Sequence, residues 1–81
     1  MTIQQKIERR QEANEKINSI LHILINQFPQ WRMGQIMYNV DLARPNSDPF
    51  FDESVDILNR LISHPIVYPL ISGNLTDFKM E

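Results

Sequence analysis

The first 28 residues, MTIQQKIERRQEANEKINSILHILINQF, contain neither glycine nor proline. A run of that length without a backbone breaker carries Ile3, Ile7, Ile17, Ile20, Leu21, Leu24, Ile25 and Phe28 at near-helical spacing, which is the pattern of one long amphipathic helix. Thr2 and Gln5 stand three apart at its start, where the hydroxyl can accept a first-turn amide and the glutamine side chain can reach back to the cap. The helix is therefore expected to begin at once and to end before Pro29. Between Ile7 and Ile17 the only apolar residue is Ala13, so residues 1–16 are expected to project as a charged first half while the second half docks.

Beyond Pro29, residues 30–40 (QWRMGQIMYNV) place Met33, Ile36, Met37 and Val40 on one stripe. This reads as a short second helix with Pro29 in its first turn, where a missing amide costs nothing. Gly34 inside it costs about 1 kcal/mol relative to alanine, which predicts close approach of another backbone. The loop DLARPNSDPFF holds two prolines and an Asn-Ser-Asp cluster, with Asp48 before Pro49 as a cap for the next helix. That third helix is expected from about Asp52 to Ser63, with Val55, Leu58, Leu61 and Ile62 as its apolar face. Asp52, Glu53 and Asp56 fall at its start, where the helix dipole favours acids. Pro65 ends it, and residues 64–81 read either as an extended tail or as a broken last helix. The expected fold class is all-α: a single small domain over residues 1–81, with a long N-terminal helix packed on two shorter helices and an irregular C-terminal arm.

Eighty-one residues bury a thin core, which argues against a deep enclosed catalytic cleft. With no cysteine, neither a disulfide nor the usual thiolate zinc set can supplement that core, so a homo-oligomer is expected. Residues 1–40 carry five Lys or Arg against three Glu, and residues 41–81 carry three against seven Asp or Glu, an asymmetry that favours pairing between unlike surfaces. The sequence shows no signal-peptide pattern and no apolar run of membrane-spanning length, so a cytoplasmic protein without membrane contact is expected.

The chemistry-bearing residues are sparse. His22 and His64 lack metal-ligand spacing, and two glycines cannot form a phosphate loop; neither a metal nor a cofactor is expected, and the chain reads as no enzyme. Asp52, Glu53 and Asp56 could pair for acid–base work, but dipole complementarity alone selects acids there. Asn74-Leu75-Thr76 matches a glycosylation sequon that a cytoplasmic chain would not use. Lys6, Arg9, Arg10 and Lys16 are the candidate nucleic-acid contacts, but Glu8, Glu12 and Glu15 are interleaved with them. Such interleaving more often makes a solvated face with pairs such as Glu12–Lys16. Arg32, Gln35 and Asn39 form a polar ridge beside the stripe of the second helix. In the plainer reading Arg32 pairs with Asp48, Asp52 or Glu53 and the two amides satisfy the proline-broken loop. In the sharper one the ridge binds a protein partner, with Trp31, Tyr38, Phe50 and Phe51 as aromatic anchors.

The arrangement of Pro29, Trp31, Arg32, Gly34, Gln35 and Asn39, then Asp48, Pro49, Phe50 and Phe51 before an acidic helix start, resembles a pattern found in small bacterial and prophage-type open reading frames. The likeness covers roughly residues 29–62 and brings no assigned activity. It implies a compact helical protein whose Arg32, Gln35 and Asn39 brace the Asp-Pro-Phe loop. Composition and resemblance together lead to the expectation of a small interaction protein of phage or prophage type, an inhibitor or adaptor, with a nucleic-acid-binding regulator using the first helix as the alternative.

Overall fold

A computed structural model describes residues 1–42 and 52–80, and no strand occurs among them. The long helix α1 runs from Ile3 to Gln27. Its start is closed in both directions: Gln5 N donates to Thr2 Oγ1 at 3.1 Å, and Thr2 N donates to Gln5 Oε1 at 2.9 Å. This satisfies two amides that no helix can satisfy internally. At the other end Phe28 N still bonds Leu24 O, and Pro29 then takes the chain into a turn closed by Trp31 N donating to Phe28 O at 3.0 Å. Pro29 thus occupies the second position of a tight turn, where its fixed φ is suited, rather than the first turn of the next helix.

α2 (Met33–Asn39) is shorter than the sequence pattern suggested, because the turn consumes Gln30 and Trp31 and leaves Arg32 as the N-cap. α2 ends with Leu42 N donating to Met37 O at 2.8 Å and Asp41 N donating to Tyr38 O at 3.1 Å. That pair of bonds is a Schellman closure, and it requires the residue at its corner to have positive φ. Asp41 holds that corner with φ 63°. Gly34 does not mark a close approach as expected: a Cβ added there would meet nothing within 4 Å.

α3 (Ser54–Ser63) carries Asp56 in its first turn and Arg60 in its last, each at the favourable end of the helix dipole. The tail is a broken helix, not an extended arm: α4 (Tyr68–Ile71), a 3₁₀ turn (Ser72–Asn74) and α5 (Leu75–Phe78) succeed one another. His64 O accepts from both Val67 N and Tyr68 N, which turns the chain back after α3. Val67, Ile71 and Phe78 then drop into the core, so the tail is part of the domain.

The core joins Ile20 and Leu24 of α1, Ile36 of α2 and Val40 at its C-cap, Leu58, Leu61 and Ile62 of α3, and the three tail residues. Each fully buried aliphatic side chain contributes about 1.5–3 kcal/mol relative to exposure. α1 docks earlier than its apolar pattern predicted. Ala13 has no exposed surface, because a methyl group lets another element approach where a larger side chain could not. Only the stretch from Met1 to Glu8 is exposed throughout. The molecule measures 42 × 32 × 17 Å, little thicker than one helix with a neighbour.

Candidate interaction surfaces

α2 buries Ile36 and turns its opposite side outward. Tyr38 is exposed there at 65%, Gln35 is exposed on its flank, Met33 is 49% exposed at the first residue of the helix, and Arg32 stands exposed at the cap. Met33 belongs to the stripe expected to be core, but it opens the helix before the stripe reaches the packed neighbours. Gln35 Oε1 accepts from Arg32 N at 2.8 Å, half of a capping box; a guanidinium has no acceptor and cannot supply the other half. The aromatic ring of Trp31 stacks on Phe28, centroids 4.0 Å apart and planes 12° apart, which leaves Trp31 half-buried and fixes the approach to α2. Asn39 is also half-buried. The structure therefore leaves Arg32, Met33, Gln35 and Tyr38 exposed at the cap and around α2, half-buries Trp31 and Asn39, and leaves Phe50 and Phe51 outside the described residues.

Arg32 does not tie α2 to Asp52 or Glu53 as expected. Asp52 Oδ2 accepts from Arg60 Nη2 at 3.1 Å within the same region of chain, and Glu53 is held by Arg10. Asp48, the third expected partner, lies outside the described residues.

The four cations proposed as nucleic-acid contacts are divided by the fold. Arg10 grips Glu53 at two points, Nε to Oε1 at 2.8 Å and Nη2 to Oε2 at 3.2 Å, the fork geometry that suits a carboxylate. That bond is the main cause that draws the Glu53 carboxyl below its ordinary range and raises the Arg10 guanidinium above its own. Lys16 Nζ donates to Asp77 O at 2.6 Å, clamping α5 onto α1 instead of pairing with Glu12. Lys6 is exposed and Arg9 half-buried, and both line an open cleft with Met1, Arg10, Glu53 and Val55. Neither long-range pair was visible in local spacing.

His64 links the ends of α2 and α3. Its Nδ1 accepts from Ile66 N at 3.1 Å, so in the neutral ring Nε2 carries the hydrogen and donates to Asp41 Oδ2 at 3.2 Å. Both nitrogens are thus engaged by the protein, and no lone pair remains for a metal or a substrate. His22 lies exposed on α1, and no group of three metal-ligating side chains occurs among the described residues. No described helix is long and apolar enough to cross a membrane.

Compared with known proteins, the chain matches no family model, no curated protein and no solved structure.

Proposed function

We propose that this chain is a small cytoplasmic binding protein with no chemistry of its own, which docks a protein partner through the outward face of α2. The observation that carries the reading is the concentration of Tyr38, Met33, Arg32 and Gln35 on a helix that is itself fixed to the core by Ile36 and Val40. Aromatic, methionine and arginine side chains are the types enriched at interface centres. A fixed platform also limits the ordering cost of association. The thin molecule argues in the same direction, since both broad faces lie close to solvent and leave little depth for an enclosed reaction site. An inhibitor or adaptor of phage or prophage type fits this reading; that origin rests on the resemblance of residues 29–62 alone.

Self-association belongs to the same reading. Ile3 and Ile7, 78% and 40% exposed, are the side chains that would serve it, whereas Ala13 on the same helix is buried. Nucleic-acid binding through α1 is less well supported, because Arg10 and Lys16 are spent within the fold.

A photo-crosslinking residue placed at position 38, with Asn59 on α3 as an exposed control, tests the α2 face in cells that express the chain. The proposal expects a discrete crosslinked protein from position 38 and none from 59. Equal products from both positions, or products from 59 alone, would contradict it.

A further inference from the structure

We propose that α1 pairs with α1 of a second copy of this chain along a lateral stripe formed by Ile7, Gln11, Asn14, Asn18, Leu21 and Ile25. This pairing rests on the self-association read from Ile3 and Ile7 and deepens it, because it extends the contact from the tip of α1 along the whole helix. The stripe residues alternate in steps of four and three, the heptad seam along which helices pair. With about 100° of turn per residue, the seam lies roughly 120° round the helix from Ala13, Ile20 and Leu24, which face the core. Ile7 and Ile25 are 40% and 41% exposed, the three amide side chains between them are exposed, and Leu21 is half-buried.

Charge and residue order select a second copy as the occupant. No charged side chain of α1 takes a seam position; Glu8 and Glu15 border the seam on one side, and Arg10, turned to Glu53, borders it on the other. Pairing therefore strips water from no ion on the seam. Along the helix the order is apolar, amide, apolar, which reads the same from either end. A second copy laid antiparallel sets Ile7 against Ile25, Asn14 against Asn18, and Gln11, with its apolar stem, against Leu21. Laid parallel, it sets each residue against its own counterpart. In both senses an asparagine at the centre meets an asparagine, which offers donor and acceptor together, and isoleucine meets isoleucine toward the ends. A partner with an unbroken apolar face would leave the amides without partners, and a highly charged one would find no charge on the seam to answer it. The Thr2–Gln5 capping box keeps α1 helical from its first turn, so the stripe is formed before association. Amides in a seam weaken a helix pair while fixing its register, so this dimer dissociates on dilution.

The test is sedimentation equilibrium of the full chain from about 10 to 500 µM, a span over which mass action brings out a weak dimer. The wild type is expected to pass from monomer to dimer. Asn18→Lys sets like charges into the pair and should hold the mass at that of a monomer. Ser19→Lys, also at an exposed position but about 100° further round α1, should leave the dimer intact. The double variant Asn14→Leu, Asn18→Leu makes the centre of the seam apolar in either sense and should tighten a discrete dimer about ten-fold or more, a gain that loss of fold would not produce. A wild type that stays monomeric throughout, equal effects from positions 18 and 19, or a double leucine variant no tighter than wild type would overturn the proposal. So would a monomer in which a photo-crosslinker at position 18 captures a different protein, since the stripe would then belong to that partner. If Ile3→Gln, Ile7→Gln abolishes the dimer while Asn18→Lys spares it, self-association stands at the tip of α1 and the stripe falls. None of these outcomes bears on crosslinking from position 38, so the two surfaces stand or fall separately.

Discussion

His64 Nε2 lies 3.2 Å from Asp41 Oδ2, and Asp41 is the one non-glycine residue with positive φ among the described residues. The two facts belong together. A left-handed backbone costs most residues about 1 kcal/mol or more, but aspartate and asparagine tolerate it best after glycine. An aspartate at the Schellman corner of α2 both closes that helix and aims a carboxylate at the end of α3. Glycine would close the helix and leave the histidine without its acceptor.

Substitutions at this corner should therefore separate the two roles. Asp41→Asn keeps the backbone tolerance and an acceptor oxygen, and should change stability by less than about 0.5 kcal/mol. Asp41→Ala loses both and should cost on the order of 1–3 kcal/mol. Asp41→Gly should fall between them. Denaturant melts of the three variants, each repeated in a His64→Ala background, give the coupling directly; an equal cost for Asn and Ala would refute the link between φ and the hydrogen bond.

The Arg10–Glu53 pair gives a pH dependence of known sign. The folded state holds the Glu53 carboxyl below its ordinary value, so the unfolded chain binds its proton first as pH falls. The stabilising contribution is present above the ordinary glutamate range of about 4.3 and is lost as pH drops through the lowered folded value. Wild type and Glu53→Gln should thus differ in melting temperature at neutral pH by a small, salt-sensitive amount and converge in acid. A difference that grows on acidification would contradict the pairing.

Ala13 and Ile3 make opposite predictions from their burial. Ala13→Leu forces three extra carbons into a site with no exposed surface and should cost about 1–3 kcal/mol. Ile3→Gln, at a side chain 78% exposed, should leave global stability within about 0.5 kcal/mol. Chemical denaturation of both variants checks the boundary between the docked and exposed parts of α1, and a tolerant Ala13 would move that boundary toward Ile17.

Self-association through Ile3 and Ile7 predicts a sedimentation mass that rises with concentration in the wild type. The mass should fall to that of a monomer in the Ile3→Gln, Ile7→Gln double variant. A monomer at every concentration in the wild type would remove this part of the reading.

Much of the helical framework is legible in the sequence for local reasons. The Thr2–Gln5 cap, the unbroken run to Phe28 and the apolar spacing of α3 are all short-range patterns, and the structure agrees with them. The hidden contacts depend on distance along the chain. Arg10 and Glu53 are 43 residues apart and Lys16 and Asp77 are 61 apart, so neither contact leaves a mark in local spacing. Ala13 is a weak hydrophobic signal whose burial depends on a neighbour's approach. Asp41 hid its role because aspartate is common in loops, and its left-handed conformation shows only in the backbone. On the candidate surface, the Arg32–Gln35 spacing was legible, but its product was a helix cap rather than a brace to Asp52 or Glu53. Met33 fitted the core stripe by period alone; only its place at the first residue of α2 explains its exposure.

The claim that α2 presents a binding face is tested most directly by Tyr38→Ala, assayed for affinity toward the protein captured from position 38 and for thermal stability in parallel. Tyr38 is 65% exposed, so the melting temperature should be nearly unchanged. An interface anchor of this kind should cost about ten-fold or more in affinity when truncated. Unchanged affinity in a variant that folds normally would contradict the account, because the most exposed aromatic side chain of α2 would then have no part in binding.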